Sequence, residues 1–165
     1  VKGFVEMYDR VINFNLKAGV KDEVPFSFEW WKAVELQSKL LVEESEECYD
    51  AARYGNSVEL LDGCIDNLVI AFKLADMLHQ AGYDVMGAFE TICDNNDEKI
   101  LNSYYQAVEE KELLEERDDV EYYIETAYVI GVPYFTVRRL DGKIMKKVGF
   151  KAVELEQYCP KQPEM

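Results

Sequence analysis

Four glutamates fall within five residues at Glu43-Glu44-Ser45-Glu46-Glu47, inside a long stretch with helical periodicity. An advance of about 100° per residue places Ala33, Leu36, Leu40, Cys48 and Ala51 in one apolar arc. Glu44 lands in the middle of that arc, Glu47 lies inside it, Glu43 sits on its edge and Glu46 points away. A carboxylate on the apolar stripe of a helix is costly unless it is paired or bound to a metal. Two of them, one turn apart and of like charge, ask for a cation between them. A glutamate run is ordinarily a solvated helix face, and for Glu46 that reading holds.

A second acidic stripe follows. The segment from about Val58 to Gln80 is apolar almost all round, which suits the centre of a bundle or a subunit interface. Its polar side chains Glu59, Asp62, Asp66 and Lys73 line a single stripe. Either Lys73 balances this stripe internally and the face is simply wet, or the stripe looks across at Glu44 and Glu47 and completes an acidic pocket. The short Gly55-Asn56-Ser57 connection favours antiparallel packing of the two helices. That packing brings late residues of one helix close to early residues of the next.

The elements that must hold these acids read as follows. A first helix spans Val1 to about Asn15, and Leu16 to Gly19 breaks it. The helix bearing the glutamates starts near Ser27, a plausible N-cap, and runs to about Tyr54. Ser57 is expected to cap the next helix. A fourth helix spans about Tyr83 to Leu101, and Ala107 to Asp119 is also helical. The stretch from Val120 to Val132 is ambiguous between helix and strand. Tyr134 to Arg139 reads as a strand, Asp141-Gly142 as a two-residue hairpin turn, and Lys143 to Val148 as the return strand. The expected architecture is all-α: an antiparallel four-helix bundle core over residues 1–104, a C-terminal helix and small β-hairpin extension over 105–156, and a loose tail from 157 to 165.

Composition narrows the function classes. With 165 residues, 48% of them apolar, the chain can build one proper core. Its formal net charge of −15 makes nucleic acid and anionic membrane surfaces poor partners. An anionic small substrate would be repelled too, unless it arrived with a divalent metal or met a local basic cluster. No apolar run approaches a membrane span and no secretory leader pattern opens the sequence, so a soluble, cytoplasmic protein is expected. Cys48, Cys64, Cys93 and Cys159 form no CxxC and His79 is the only histidine, which argues for buried free thiols rather than zinc. A di-iron bundle would need Glu-x-x-His pairs, and no Glu stands three residues before His79.

The acidic constellation resembles the all-α nucleoside triphosphate pyrophosphohydrolases, in particular their MazG-like and phosphoribosyl-ATP pyrophosphohydrolase-like branch. The EExxE motif of that group stands here as Glu43-Glu44-Ser45-Glu46-Glu47, and its second acidic motif as Glu59 to Ile70, with Asp66 just before an apolar run. Asn95 to Ile100 is similar to the segment that follows the third core helix in that branch, and Asp141 to Lys147 to its DGKVLK segment. The family's second motif is ExxD, whereas the residue three before Asp66 is Gly63. Either Asp62 substitutes, or Glu59 to Asp62 is the motif shifted by one turn; register with the apolar run favours Asp62 with Asp66.

The resemblance implies Mg²⁺-dependent (or Mn²⁺-dependent) hydrolysis of a nucleoside triphosphate between the α and β phosphates, giving monophosphate and pyrophosphate. It implies Glu44, Glu47, Asp62 and Asp66 as metal ligands, and Glu43 with Glu47 as the catalytic acids. Lys99 and Asn96 would face the substrate, with Lys143 and Lys146 as further phosphate contacts. Trp31, together with Trp30 and Phe26, would wall the base. A homodimer or dimer of dimers is expected, since one four-helix unit cannot easily cover the apolar third helix. The alternative is a noncatalytic nucleotide-binding or regulatory protein on the same scaffold.

Overall fold

Five α-helices precede a two-stranded antiparallel sheet in the computed structural model, which describes residues 4–20 and 22–161. The helices are α1 (Phe4–Lys17), α2 (Phe28–Tyr54), α3 (Ser57–Gln80), α4 (Val85–Asp97) and α5 (Tyr104–Asp118); the strands are β1 (Tyr122–Val129) and β2 (Val132–Arg139). The chain forms two units. One takes the chain up to Val85 and resumes at Gln157; the other is Met86–Glu156. The expected helical residues Val1 to Gly3 and the tail residues 162–165 lie outside the described residues.

In the first unit α3 packs against both α1 and α2. Ser27 caps α2 as expected: its Oγ accepts the Trp30 N–H at 3.1 Å. Gly55, at φ 70°, ends that helix in the left-handed conformation that glycine adopts without a Cβ clash. The cap of α3 is Asn56 rather than Ser57. Once Gly55 has turned the chain, Asn56 is the residue left extended (φ −86°, ψ 95°), and its side chain accepts the Glu59 N–H at 3.3 Å. Residues 156–158 form a single 3-10 turn. The Tyr158 carbonyl accepts the Asp84 N–H at 2.9 Å, so the described part of the expected loose tail is tied to the end of α3.

The second unit is built around Leu101, Ala107, Leu114, Tyr122, Phe135 and Val137. The ambiguous stretch after Val120 is strand β1. Ile130 (φ 51°) and Gly131 (φ 78°) turn it into β2, matching the two positive-φ residues of the tightest hairpin turns. Helix α4 ends at Asp97 rather than Leu101, because Leu101 exchanges backbone hydrogen bonds of 2.8 and 2.9 Å with Phe135. The return strand expected at Lys143 to Val148 does not form. Asp141-Gly142 does turn the chain, but the following segment gives only an isolated bridge, Ile144 to Arg138, held by the Arg139 N–H on the Lys143 carbonyl and the Met145 N–H on the Val137 carbonyl, each at 2.9 Å. Leu101 occupies the same edge of β2 from Phe135 onward, which leaves room for a bridge and no ladder.

One further expectation changes. The cysteines are free, but Cys64, Cys93 and Cys159 are exposed and Cys48 is half-buried, not buried. Helix α3 leaves Leu61, Ile65 and Leu68 exposed. Among the described residues no helix is long and apolar enough to cross a membrane.

Candidate functional site

Helices α2 and α3 meet most closely where Gly63 faces Cys48; a Cβ built on Gly63 would stand 3.2 Å from both the Cβ and the backbone nitrogen of Cys48. One turn away the Ser45 hydroxyl lies 2.7 Å from Asn67 Oδ1, and Asn67 Nδ2 donates to the Gly63 carbonyl at 2.7 Å. These contacts set the antiparallel register. Residue 48 stands opposite 63 and residue 45 opposite 67, which carries Glu44 to the neighbourhood of Asp66.

The acids therefore converge on Glu44. It is half-buried, and its carboxyl is held above the usual carboxylate range, first by burial and then by the charges of Glu47, Asp66, Glu43 and Asp62. Four carboxylates from two helices thus act on Glu44. Glu46 is exposed, in keeping with its position on the outer face. Of the two acids considered for the fourth position, Asp62 is the one whose charge acts on Glu44. Glu47 is exposed, although the helical wheel sets it inside the apolar arc; Leu36 from the same arc is exposed as well. Among the described helices only α3 packs on α2, so the strip that is shielded is narrower than the arc.

An all-carboxylate donor set suits a hard divalent cation such as Mg²⁺. Like charges repel, and among the described residues no three acids, thiols or imidazoles stand gathered as a ready metal-ligand group. The fit rests on the chemistry of the donors and on the crowding of charge at Glu44.

Lys73 does not balance this stripe. It is buried, with its Nζ 3.6 Å from Asp76 Oδ2 and 3.9 Å from Asp22 Oδ1. Asp76 is buried too, and accepts from Tyr8 OH at 3.1 Å and from Gln80 Nε2 at 3.0 Å. Burial and the bond to Asp76 push the Tyr8 hydroxyl up to about 12. This network, which ties α1 to α3, escapes a reading of the sequence that treats Lys73 as part of the acidic stripe. The available signal is Asp76 three residues after Lys73 on a helix that is apolar nearly all round.

Beside Lys73 lies a cavity of about 340 Å³, lined by the segment before α2 and by Trp30, Gln37, Met77 and Gln80. Trp30 is 2% exposed, whereas Trp31 is half-exposed and stands edge-on to it at 4.7 Å. The aromatic wall of this cavity is therefore Trp30 rather than Trp31. Phe26 is held at φ 65°, an unfavourable conformation for a bulky residue, with its ring 5.4 Å from Trp30 and 6.2 Å from Tyr83.

In the second unit, Asn96, Lys99 and Lys146 are brought together around Phe150. Lys99 Nζ donates to Asn96 Oδ1, and the Lys99 and Lys146 ammonium groups stand 6.0 and 4.9 Å from the centre of the Phe150 ring. Asn95 Nδ2 donates to the Lys151 carbonyl at 3.1 Å, pinning the end of α4 to the same segment. Lys143 is exposed, with its N–H on Asp141 Oδ1 at 3.1 Å. The two stretches that resemble family segments, widely separated in sequence, are thus neighbours. No protein-family model, curated protein or solved structure matches this chain.

Proposed function

We propose that this chain is a Mg²⁺-dependent nucleoside triphosphate pyrophosphohydrolase of the MazG-like, phosphoribosyl-ATP pyrophosphohydrolase-like type, cleaving its substrate between the α and β phosphates to monophosphate and pyrophosphate. The observation that carries this reading is the crowding of Glu47, Asp66, Glu43 and Asp62 around the half-buried Glu44. Charge of one sign is concentrated at the crossing of two helices, where folding alone gains nothing from it. Such an arrangement is a reason to look for function.

Glu44, Glu47, Asp62 and Asp66 would hold the cation. When bound, Mg²⁺ would neutralise the phosphates and make a bound water more acidic. Glu43, at the rim of the cluster, would orient and deprotonate the attacking water. The remaining demand is positioning, since in-line attack on phosphorus needs no protein nucleophile. Lys99, Lys146 and Asn96 stand together in the second unit as a group that would bind phosphate.

The exposed apolar residues Leu61, Ile65 and Leu68 of α3 would be covered in a homodimer. Incubation with a panel of ribo- and deoxyribonucleoside triphosphates and Mg²⁺ tests the reading. Pyrophosphate, not orthophosphate, is the expected product. Metal-dependent nucleotide binding without turnover would instead identify a regulatory binding protein.

A further inference from the structure

Two stripes of residues spaced by seven face each other across α2 and α3. Trp30, Gln37 and Glu44 lie on one, and Asp66, Lys73 and Gln80 on the other. Seven residues return a helix to nearly the same face about 10 Å further on. Glu44 and Asp66 belong to the acidic cluster, whereas the other four residues line the cavity. The acids and the cavity therefore lie along the same two facing helix stripes, about two helical turns apart. A nucleoside reaches from base to α-phosphate over a span of that order.

The cavity has the size and lining of a small-molecule site: a buried indole, the Met77 side chain, two primary amides and a cation. Its charged groups are ordered by depth. The Lys73 side chain is 10% exposed, whereas the Asp22 side chain is 51% exposed and Glu23, the other charged residue of the lining, is exposed as well. Both carboxylates near Lys73 stand at ion-pair rather than hydrogen-bond distance, so its ammonium has N–H donors to offer a ligand. An ammonium only donates and a carboxylate only accepts. A planar ring entering the cavity must therefore present an acceptor deep inside, at Lys73, and a donor nearer the mouth, at Asp22.

We infer that the cavity binds the keto edge of a nucleobase, a 4-oxopyrimidine or 6-oxopurine, in preference to the amino edge of cytosine or adenine. With the sugar toward the acidic end, a keto base carries its carbonyl oxygen deepest and its ring N–H next to it. An amino base reverses this order, placing an N–H against the ammonium and a bare ring nitrogen against the carboxylate. The mismatch sets donor against donor at Lys73 and acceptor against acceptor at Asp22. Sites built around polar groups discriminate strongly against ligands that leave them unpaired. That the ring belongs to a nucleotide rests on the hydrolase reading; the order of donor and acceptor in the cavity does not.

Binding of free nucleosides, measured without divalent metal by Trp fluorescence and calorimetry, tests the inference apart from the acidic cluster. Uridine against cytidine, and inosine against adenosine, differ at the carbonyl or amino position and its neighbouring ring nitrogen. The keto member should bind tighter by about tenfold or more in at least one pair. Asp22→Asn, at a half-exposed side chain, should keep the fold and bring that ratio close to one. Lys73→Met, at a buried ion pair, should lower affinity for the keto member selectively if it folds. Equal or tighter binding of the amino members in both pairs, no nucleoside binding at all, or an unchanged ratio in Asp22→Asn would each overturn the inference. Triphosphate hydrolysis with no base preference would sink the cavity assignment and leave the hydrolase standing. Keto-selective binding without any hydrolysis would do the reverse.

Discussion

Gly63 of α3 lies so close to Cys48 of α2 that an added Cβ would meet the Cys48 Cβ, nitrogen and Cα at 3.2 to 3.3 Å, tighter than ordinary van der Waals contact. This is the position three before Asp66, where the resembled motif carries a glutamate. Here the helices touch at that point, and the charge of Asp62, one residue earlier, acts on Glu44. Gly63→Ala should lower stability by about 1–2 kcal/mol in urea denaturation, overpacking against backbone outweighing the gain in helix propensity. Unchanged or raised stability would show that the helices separate freely.

Glu47→Gln and Asp66→Asn should each abolish pyrophosphate release while leaving far-ultraviolet circular dichroism unchanged. Neither side chain supports the helices it stands on, and loss of one negative ligand weakens a hard-cation site severely. Full activity in Glu47→Gln would remove that residue from the site.

Glu44 should carry a cost that a cation relieves. Its folded-state pKa lies above the ordinary carboxylate value, so the folded protein binds that proton more tightly than the unfolded chain does. Stability from this group is present at low pH and is lost as pH rises through the raised pKa. In chelator, Glu44→Gln should therefore melt at a higher temperature than the wild type at neutral pH, with the advantage fading in acid. In Mg²⁺ the wild type should gain and the variant should not. A variant that melts lower at neutral pH in chelator would contradict this account.

Tyr8→Phe removes one of the donors that satisfy the buried Asp76 carboxylate. An under-satisfied buried carboxylate should cost about 1–3 kcal/mol, read from chemical denaturation of the first unit. The loss should be accompanied by no change in the Asp118 region.

The second unit should be acid-sensitive. The carboxyl of Asp118 is held at about 2 by Arg117 and by the Tyr122 hydroxyl, and that of Asp141 at about 2 by Arg139 and the Lys143 N–H. Depressed values mean stability that is present above the ordinary Asp range and is lost as pH falls through about 2. Asp118→Asn should flatten the pH dependence of the β1–β2 tyrosine signal in near-ultraviolet circular dichroism between about pH 4 and 2. An unaltered profile would show that the pair contributes nothing.

Much of the helical framework was legible because capping and periodicity are local. Ser27 and Gly55 bracket α2 through bonds to residues three or four away. The errors came where distant segments compete. Leu101 leaves the helical pattern because β2 pairs with it, and the same pairing denies residues 143–148 a full ladder. Residues 120–132 lack a decisive periodicity, so only pairing with β2 made them a strand.

For the site, sequence alone determined which acids share a helical face, since spacing along a helix maps directly to direction: Glu44 inward, Glu46 outward, Asp62 and Asp66 on one stripe. Which faces meet, and how deeply, was a tertiary matter. The close approach at Gly63 sets the register that brings Asp66 to Glu44, and the exposure of Glu47 follows from how little of α2 is covered. The pairing of Lys73 with Asp22 depends on the segment before α2 folding back over α3. Burial and charge partnership are properties of contacts between segments, and no periodicity within one segment encodes them.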